Sequence, residues 1–169
     1  NQPAAMNIVR DITARKQAEK LQDVIYRIAQ TSDQTENLDS LYKSIHTIVQ
    51  DVMPANNFYL ALYDENNDML SFPYSVDEED LPSPPQKPGK GLTEYVLHTG
   101  KSLLCDEALE EELFQRGLIE RIGARSLIWL GVPLLIEGKA VGAMVVQDYK
   151  NAQTYGEREQ RILEFVSSQ

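Results

Sequence analysis

The apolar stretch at residues 126–149, SLIWLGVPLLIEGKAVGAMVVQDY, constrains the fold more than any other part of the chain. It contains two segments rich in Val, Ile and Leu, and Gly138 between them can supply the positive φ of a tight hairpin turn. Both segments are apolar at odd and at even positions, which is typical of strands covered on both faces. We therefore predict an antiparallel hairpin inside a sheet, with a bulge or bend at Pro133, because proline cannot donate to the ladder.

Charge and length limit the partners of the chain. Its 169 residues suffice for one domain with a full core, and its formal net charge is -10. Nucleic acids and anionic membranes select basic surfaces, so neither is an expected partner. No apolar run approaches the roughly 20 residues that cross a bilayer. The single cysteine, Cys105, excludes an internal disulfide and fits a reducing cytoplasm, which is the expected location.

A helix is predicted over residues 14–32 by an apolar seam with alternating spacings of four and three, formed by Ala14, Ala18, Leu21, Ile25 and Ile28. The seam has two interpretations. It packs on the domain's own sheet, or it forms a coiled coil with a second chain. The sequence leaves both open.

Periodicity and end signals predict the remaining elements. Helices are expected over 38–52, 92–99 and from 157 onward, and strands over 58–64, 69–74 and 102–105. Asn37 and Thr154 are the expected N-caps, with Glu157 completing a capping box, and Pro54 and Gly100 are the expected stops. These elements predict an α+β domain with a mostly antiparallel sheet of five or six strands. The N- and C-terminal helices cover one face, and short helices and loops enclose a pocket on the other.

Aromatic side chains are the candidate ligand contacts. Tyr59 and Tyr63 share one strand face, and tyrosine can bury its ring while keeping a hydroxyl for a ligand. A half-exposed sheet face explains the same pattern equally well. Strand parity does not decide which face Trp129 occupies, but its N–H donor suits a tyrosine-lined site. The full candidate set is Tyr59, Tyr63, Phe72, Tyr74, Tyr95, Leu104 and Trp129.

No catalytic or metal motif has the required spacing. The acidic run at 77–80 lacks the spacing of a calcium loop and is expected to be solvated. The sequence Gly100-Lys101-Ser102 mimics the end of a P-loop, but Tyr95 stands where that loop needs glycine. We therefore expect no enzymatic activity from this domain and no metal site, and no residue pattern selects a cofactor.

The hairpin residues Ser126, 129–134 (WLGVPL), Gly138 and 141–142 look like the signature of a GAF domain, which is a small sensory module of bacterial signalling proteins. Four further stretches resemble the family and follow one another in its order, and these are NFYLALYD (57–64), FPYSVDEED (72–80), GLTEYVLHTGKSLL (91–104) and YGEREQRILEFVSSQ (155–169). The matching stretches span 57–169, about two-thirds of the chain.

The resemblance is to GAF domains found beside PAS domains in sensor histidine kinases and diguanylate cyclases. VRDITARKQAE (9–19) is similar to the end of a PAS domain. This implies a PAS tail over 1–13, a connecting helix over 14–36, and a GAF domain with a C-terminal signalling helix over 37–169. The family's variable pocket lid corresponds to 106–123.

By resemblance, the chain binds an unknown small molecule, dimerises through its terminal helices, and relays pocket state to a kinase or cyclase. A cyclic nucleotide is the family's best-known ligand, but no residue here selects it. The alternatives are a spacer that binds no ligand and a GAF-type methionine sulfoxide reductase, for which one cysteine is too few. Some GAF photoreceptors attach a bilin to cysteine beside histidine. Asp106 follows Cys105 here, so a buried inert thiol is expected.

Overall fold

The computed structural model describes residues 15–16 and 37–169. Arg15 and Lys16 are helical, as predicted, whereas the rest of the 14–32 seam and the PAS-like segment lie outside the described residues. The described part contains four further helices, α1 (Leu38–Val52), α2 (Leu92–Thr99), α3 (Glu107–Gln115) and α4 (Glu157–Ser167). Its five strands are β1 (Asn57–Asp64), β2 (Met69–Val76), β3 (Leu103–Asp106), β4 (Ile128–Ile136) and β5 (Lys139–Asp148). Within these residues no helix is long and apolar enough to cross a bilayer.

The strands form one antiparallel sheet in the order β2-β1-β5-β4-β3, which confirms the predicted α+β fold. The β4–β5 hairpin lies inside the sheet, with β1 on one side and β3 on the other. A two-residue turn joins its strands, and both Glu137 (φ 51°) and Gly138 (φ 77°) have positive φ, as a type I′ turn requires.

The bulge or bend predicted at Pro133 is found just after this residue in β4. Pro133 pairs in register with Ala143, and the ladder shifts between Leu134 and Leu135. The β3 ladder ends at Gly131, so Pro133 lies in the part of β4 that β3 no longer flanks. The missing amide therefore does not interrupt the β3–β4 pairing.

The sheet separates two apolar layers. On one face α1 and α4 pack against alternate strand residues, including Phe58, Leu60, Leu130 and Val146. The other face carries a second cluster that joins Trp129 and Val145 to α2, α3 and the segment after α3, through Val96, Leu113 and Ile119. The prediction that the N- and C-terminal helices cover one face of the sheet is confirmed for the described helices α1 and α4.

The two helices of the first layer begin differently. The Asn37 side chain accepts from the Asp39 amide at 2.9 Å, so the predicted cap of α1 is confirmed. The predicted cap of α4 at Thr154 is wrong. Gly156 is the N-cap, and the Glu159 carboxylate accepts from its amide at 2.9 Å. Tyr155 precedes the helix and is buried, and its hydroxyl donates to the Pro54 carbonyl at 2.6 Å. Because this contact holds Tyr155 outside the helix, the helix starts after it.

His46 ties α1 to the sheet. Its Nε2 lies 2.6 Å from the Ala55 carbonyl, which can only accept, so Nε2 carries the hydrogen. Nδ1 is 2.7 Å from the Tyr74 hydroxyl and accepts from it. The imidazole also stacks on Phe58, with ring centroids 4.6 Å apart. The side chain is only 5% exposed, which identifies His46 as a structural residue with both ring nitrogens paired.

Candidate ligand cavity

A cavity of about 360 Å³ lies on the sheet face opposite α1 and α4. Its walls come from β1, β2, β4 and β5, from the loop after β2, from the first turn of α2, from Glu110 of α3, and from residues 119–126. The volume lies in the range of small-molecule pockets, which is roughly 300–1,000 Å³. The cavity thus occupies the position predicted for a ligand pocket.

Three aromatic side chains form its apolar wall. The Trp129 indole lies over Gly131, where a Cβ atom would overlap the ring, so glycine is needed beneath it. Tyr59 meets Phe72 edge to face, with centroids 5.9 Å apart. The Tyr59 hydroxyl is 2.7 Å from the Thr93 hydroxyl at the start of α2, which joins the sheet to that helix.

Tyr59, Phe72 and Trp129 are therefore the predicted contacts that line the cavity. Tyr63 and Tyr95 do not line it. The Tyr63 hydroxyl donates to Asp68 at 2.8 Å at the exposed end of β1. Tyr95 packs beside the second apolar cluster, because only the first turn of α2 reaches the cavity.

Two other predicted contacts face the opposite layer. Tyr74 packs with α1, and Leu104 packs in the same layer as Leu130, its partner across the β3–β4 ladder. Phe72 and Tyr74 would share a face in a regular strand. The β1–β2 register shifts between Leu60, which pairs with Tyr74, and Leu62, which pairs with Ser71, so β2 carries one extra residue. This bulge turns Phe72 and Tyr74 to opposite faces.

The acidic loop after β2 is tied to the cavity rim by its carboxylates. Asp77 accepts from the Gln147 side chain at 2.9 Å and from the Tyr149 hydroxyl at 2.8 Å. Asp80 accepts from the Ala124 amide at 2.9 Å, which connects the loop to the segment that follows α3. Burial, followed by the Asp77 and Asp80 carboxylates, raises the pKa of Tyr149.

Residues 116–127, which overlap the lid predicted over 106–123 and are called the lid from here on, are fastened to α3 by ion pairs. Glu110 lies 3.2 Å from Arg121 Nε and 2.9 Å from Arg125 Nε, and Arg121 also bonds Glu111. The Arg121 guanidinium sits 4.2 Å above the Phe114 ring centroid. Glu110 and both arginines line the cavity, so one lid surface faces the ligand space.

The sequence interpretation did not include the polar residues of the cavity. Glu94 follows Gly91 by three positions, which is the spacing of a capping box, and its carboxylate accepts from the Gly91 amide. That spacing was the one local signal available. The sequence pattern of Asp77 and Asp80 indicates only a solvated acidic run. Among the described residues, no group of three or more His, Cys, Asp or Glu is arranged to hold a metal.

A protein-family model for the GAF domain matches residues 35–169. The chain belongs to the GAF family. No curated protein matches its sequence.

Several solved structures share the fold. The GAF domain of a phosphoenolpyruvate-protein phosphotransferase from Coxiella burnetii has a TM-score of 0.69 and 16% identity, over 89% of this chain and 90% of that one. The corresponding Acinetobacter domain has a TM-score of 0.66 and 20% identity, over 90% and 89%. A free methionine-R-sulfoxide reductase from Neisseria meningitidis, in complex with its substrate, has a TM-score of 0.65 and 14% identity, over 87% and 83%. At these identities the similarity concerns the fold.

The cysteine of this GAF domain is in an unreactive environment. Cys105 is 3% exposed and belongs to the second apolar cluster. Burial, followed by the charges of Glu110 and Asp106, raises the pKa of its thiol to about 12. A nucleophilic cysteine needs a thiolate near neutral pH, so this thiol stays protonated and inert.

The stability of the GAF domain is expected to fall in alkali. Burial raises the pKa of Tyr59 from 10.0 to about 12, and raises that of Tyr155 as well. With Cys105, these groups keep their protons in the folded protein at pH values where the unfolded chain loses them. For Cys105 and Tyr59 the stabilising contribution is full below pH 9 and is lost between about pH 9 and 12, and that of Tyr155 is lost at higher pH.

Urea midpoints measured from neutral to alkaline pH, with phenolate absorbance followed in parallel, check this expectation. The midpoint should decrease as pH rises, and buried tyrosines should ionise together with unfolding. A midpoint that stays constant through this window contradicts the assignment of these groups as buried and protonated.

Proposed function

We propose that this GAF domain binds a small organic molecule in the cavity and relays its occupancy through the terminal helices. One observation carries the proposal. On β4, Trp129 lines the cavity, while its neighbours Ile128 and Leu130 pack in the layer of α1 and α4. A shift of the indole therefore moves β4, and α1 and α4 pack against the other face of this strand.

Close packing supports such a relay. Leu130 and Val146 are fully buried on adjacent strands, and Leu163 and Val166 of α4 belong to the same apolar cluster. Close-packed protein interiors respond to a displaced side chain by moving neighbouring elements as units. A ligand that favours one position of β4 shifts the population of helix arrangements by its difference in affinity for them.

The wider context of the proposal comes from the sequence. We propose a cytoplasmic homodimer joined through the terminal helices, with a PAS domain before the GAF domain and a histidine kinase or diguanylate cyclase as effector. The division into 1–13, 14–36 and 37–169 belongs to the same proposal. It is supported by the PAS-like segment 9–19 and the apolar seam over 14–32. In this context the GAF domain is regulatory and the catalytic step belongs to the effector.

The alternatives have less support. A spacer that binds no ligand needs an interior filled by side chains, whereas this interior keeps a cavity of about 360 Å³. A reductase needs reactive thiols, whereas the chain has one cysteine, whose pKa is raised to about 12.

Trp129 is the single tryptophan of the chain, so its fluorescence reports on the cavity directly. We expect calorimetry of the whole chain against a panel of amines, alcohols, carboxylates and nucleotides to find a binder that changes this fluorescence. The same binder should slow hydrogen exchange in α1 and α4. As a matched pair on β1, Tyr59→Phe should weaken binding and Tyr63→Phe should not, because Tyr63 bonds Asp68 outside the cavity.

Each part of the proposal has its own contrary outcome. If no compound of the panel binds, the spacer interpretation is favoured. If binding leaves tryptophan emission unchanged, the site lies elsewhere. If binding changes the emission but not the exchange of α1 and α4, the domain binds a ligand without relaying it.

A further inference from the structure

The charge on the cavity wall is strongly negative. Two guanidinium groups line it, those of Arg121 and Arg125, and both are paired with Glu110. Five carboxylates line it, which leaves an excess of three negative charges, and they belong to Asp77, Asp80, Glu94, Glu110 and Glu120. Such a surface favours a cation and repels a phosphate or a carboxylate.

Glu94 is the carboxylate best placed to contact a ligand. Asp77 and Asp80 accept through both of their oxygens, the charge of Glu110 is paired with two arginines, and Glu120 is exposed. Glu94 is only 5% exposed, and one of its oxygens, Oε2, accepts from the Gly91 amide. Its other oxygen, Oε1, has no donor among the described residues.

This unpaired oxygen must border the cavity. Every fully enclosed side-chain nitrogen or oxygen in the described part of the chain has a hydrogen-bond partner. Glu94 lines the cavity, so Oε1 lies at its surface, where a ligand can reach it. A carboxylate oxygen can only accept, so the matching ligand group is an N–H or O–H donor, and a cationic donor makes the stronger bond.

The aromatic wall suits the same ligand. The six-membered ring of the Trp129 indole lies against Gly131, and the side chain lines the cavity. Tyr59 and Phe72 extend this wall. Aromatic faces attract cations, and they also pack against the apolar body of an organic molecule.

We propose that the ligand of the cavity is a small organic ammonium ion with an apolar body. Its N–H group donates to Glu94 Oε1, and its body packs on Trp129. The inference rests on the proposed function and deepens it, because it names the class of molecule that the cavity takes. Anionic ligands, including nucleotide phosphates, are excluded by the same negative wall.

Two sets of three probes test the charge preference. Within each set the apolar body is the same, and the polar group is an ammonium, a neutral hydroxyl or a carboxylate. The first set is phenethylamine, phenethyl alcohol and phenylacetate, and the second is tryptamine, tryptophol and indole-3-acetate. Calorimetry on the whole chain should show the amine of at least one set binding about tenfold or more tighter than its alcohol, since the charge-assisted bond is stronger. The carboxylates should not bind measurably.

Glu94→Gln tests the contact itself. Glutamine keeps an oxygen that can cap Gly91, so the start of α2 is retained while the charge is removed. We expect the variant to weaken amine binding about tenfold and alcohol binding by a smaller factor, because the bond between a cation and a carboxylate loses more when the charge is removed. Glu159→Gln is the matched control, because Glu159 caps Gly156 with the same geometry at the start of α4, outside the cavity wall. It should change neither affinity.

The outcomes separate this inference from the proposed function. If an alcohol or carboxylate binds as tightly as its amine and changes Trp129 emission, the domain still binds a ligand but the cation preference is overturned. If Glu94→Gln and Glu159→Gln weaken amine binding equally, the Glu94 contact is overturned. If no probe and no compound of the wider panel binds, both proposals fail.

Discussion

Replacing Trp129 with alanine is expected to lower the free energy of unfolding by about 3–5 kcal/mol, which is typical of a large aromatic residue removed from a core. The side chain is only 4% exposed and joins the second apolar cluster to the cavity wall. Urea unfolding followed by circular dichroism measures the loss, since the variant has no tryptophan fluorescence.

A double-mutant cycle with Gly131 separates packing from other effects. In the wild-type background, Gly131→Ala should destabilise by about 1–3 kcal/mol, because the added methyl overlaps the indole and forces it to move. In the Trp129→Ala background the same methyl has room, so Gly131→Ala should cost little. Additive losses would show that the indole does not rest on Gly131.

His46→Ala is expected to destabilise the domain by about 3–5 kcal/mol, although His46 contributes nothing to the cavity. The change removes a buried ring and leaves the Ala55 carbonyl and the Tyr74 hydroxyl without their partner. Tyr74→Phe removes one of these bonds and should cost about 1–2 kcal/mol.

His98→Ala provides the control, because His98 is the other histidine of the chain and is exposed on α2. Its effect should stay within about 0.5 kcal/mol. Ligand binding by His46→Ala, measured at a temperature where the variant is folded, should match wild type. Equal losses for both histidine variants would contradict the structural role of His46.

The fold could be predicted from the sequence because its strongest signals are local. The uninterrupted apolar pattern of β4 and β5 requires cover on both faces, and the positive φ of Gly138 fixes the turn between them. Asn37 and Gly100 mark helix ends by their own chemistry, and both predictions are confirmed. Caps held by distant contacts are harder to predict, as Tyr155 and its bond to Pro54 show for α4.

The cavity was only partly predictable, since its faces depend on register. The extra residue in β2 separates Phe72 from Tyr74, and no composition signal reveals a bulge of this kind. Leu104 was assigned to the wrong face because its partner across the ladder, Leu130, is known only from the structure. The polar wall was missed because Glu94 and Asp80 meet the cavity through tertiary contacts.

The separation of the domain into two apolar layers has an evolutionary consequence. Under the proposed function, the ligand contacts lie on one face of the sheet, where the lid and the acidic loop are held by polar contacts such as Asp80 to Ala124 and Glu110 to Arg125. The helices α1 and α4 pack against other side chains, on the face of the sheet opposite the cavity. Under the proposed function, mutations on the cavity face can therefore change which molecule the domain recognises while the packing of α1 and α4 is retained, so that one architecture can serve different stimuli.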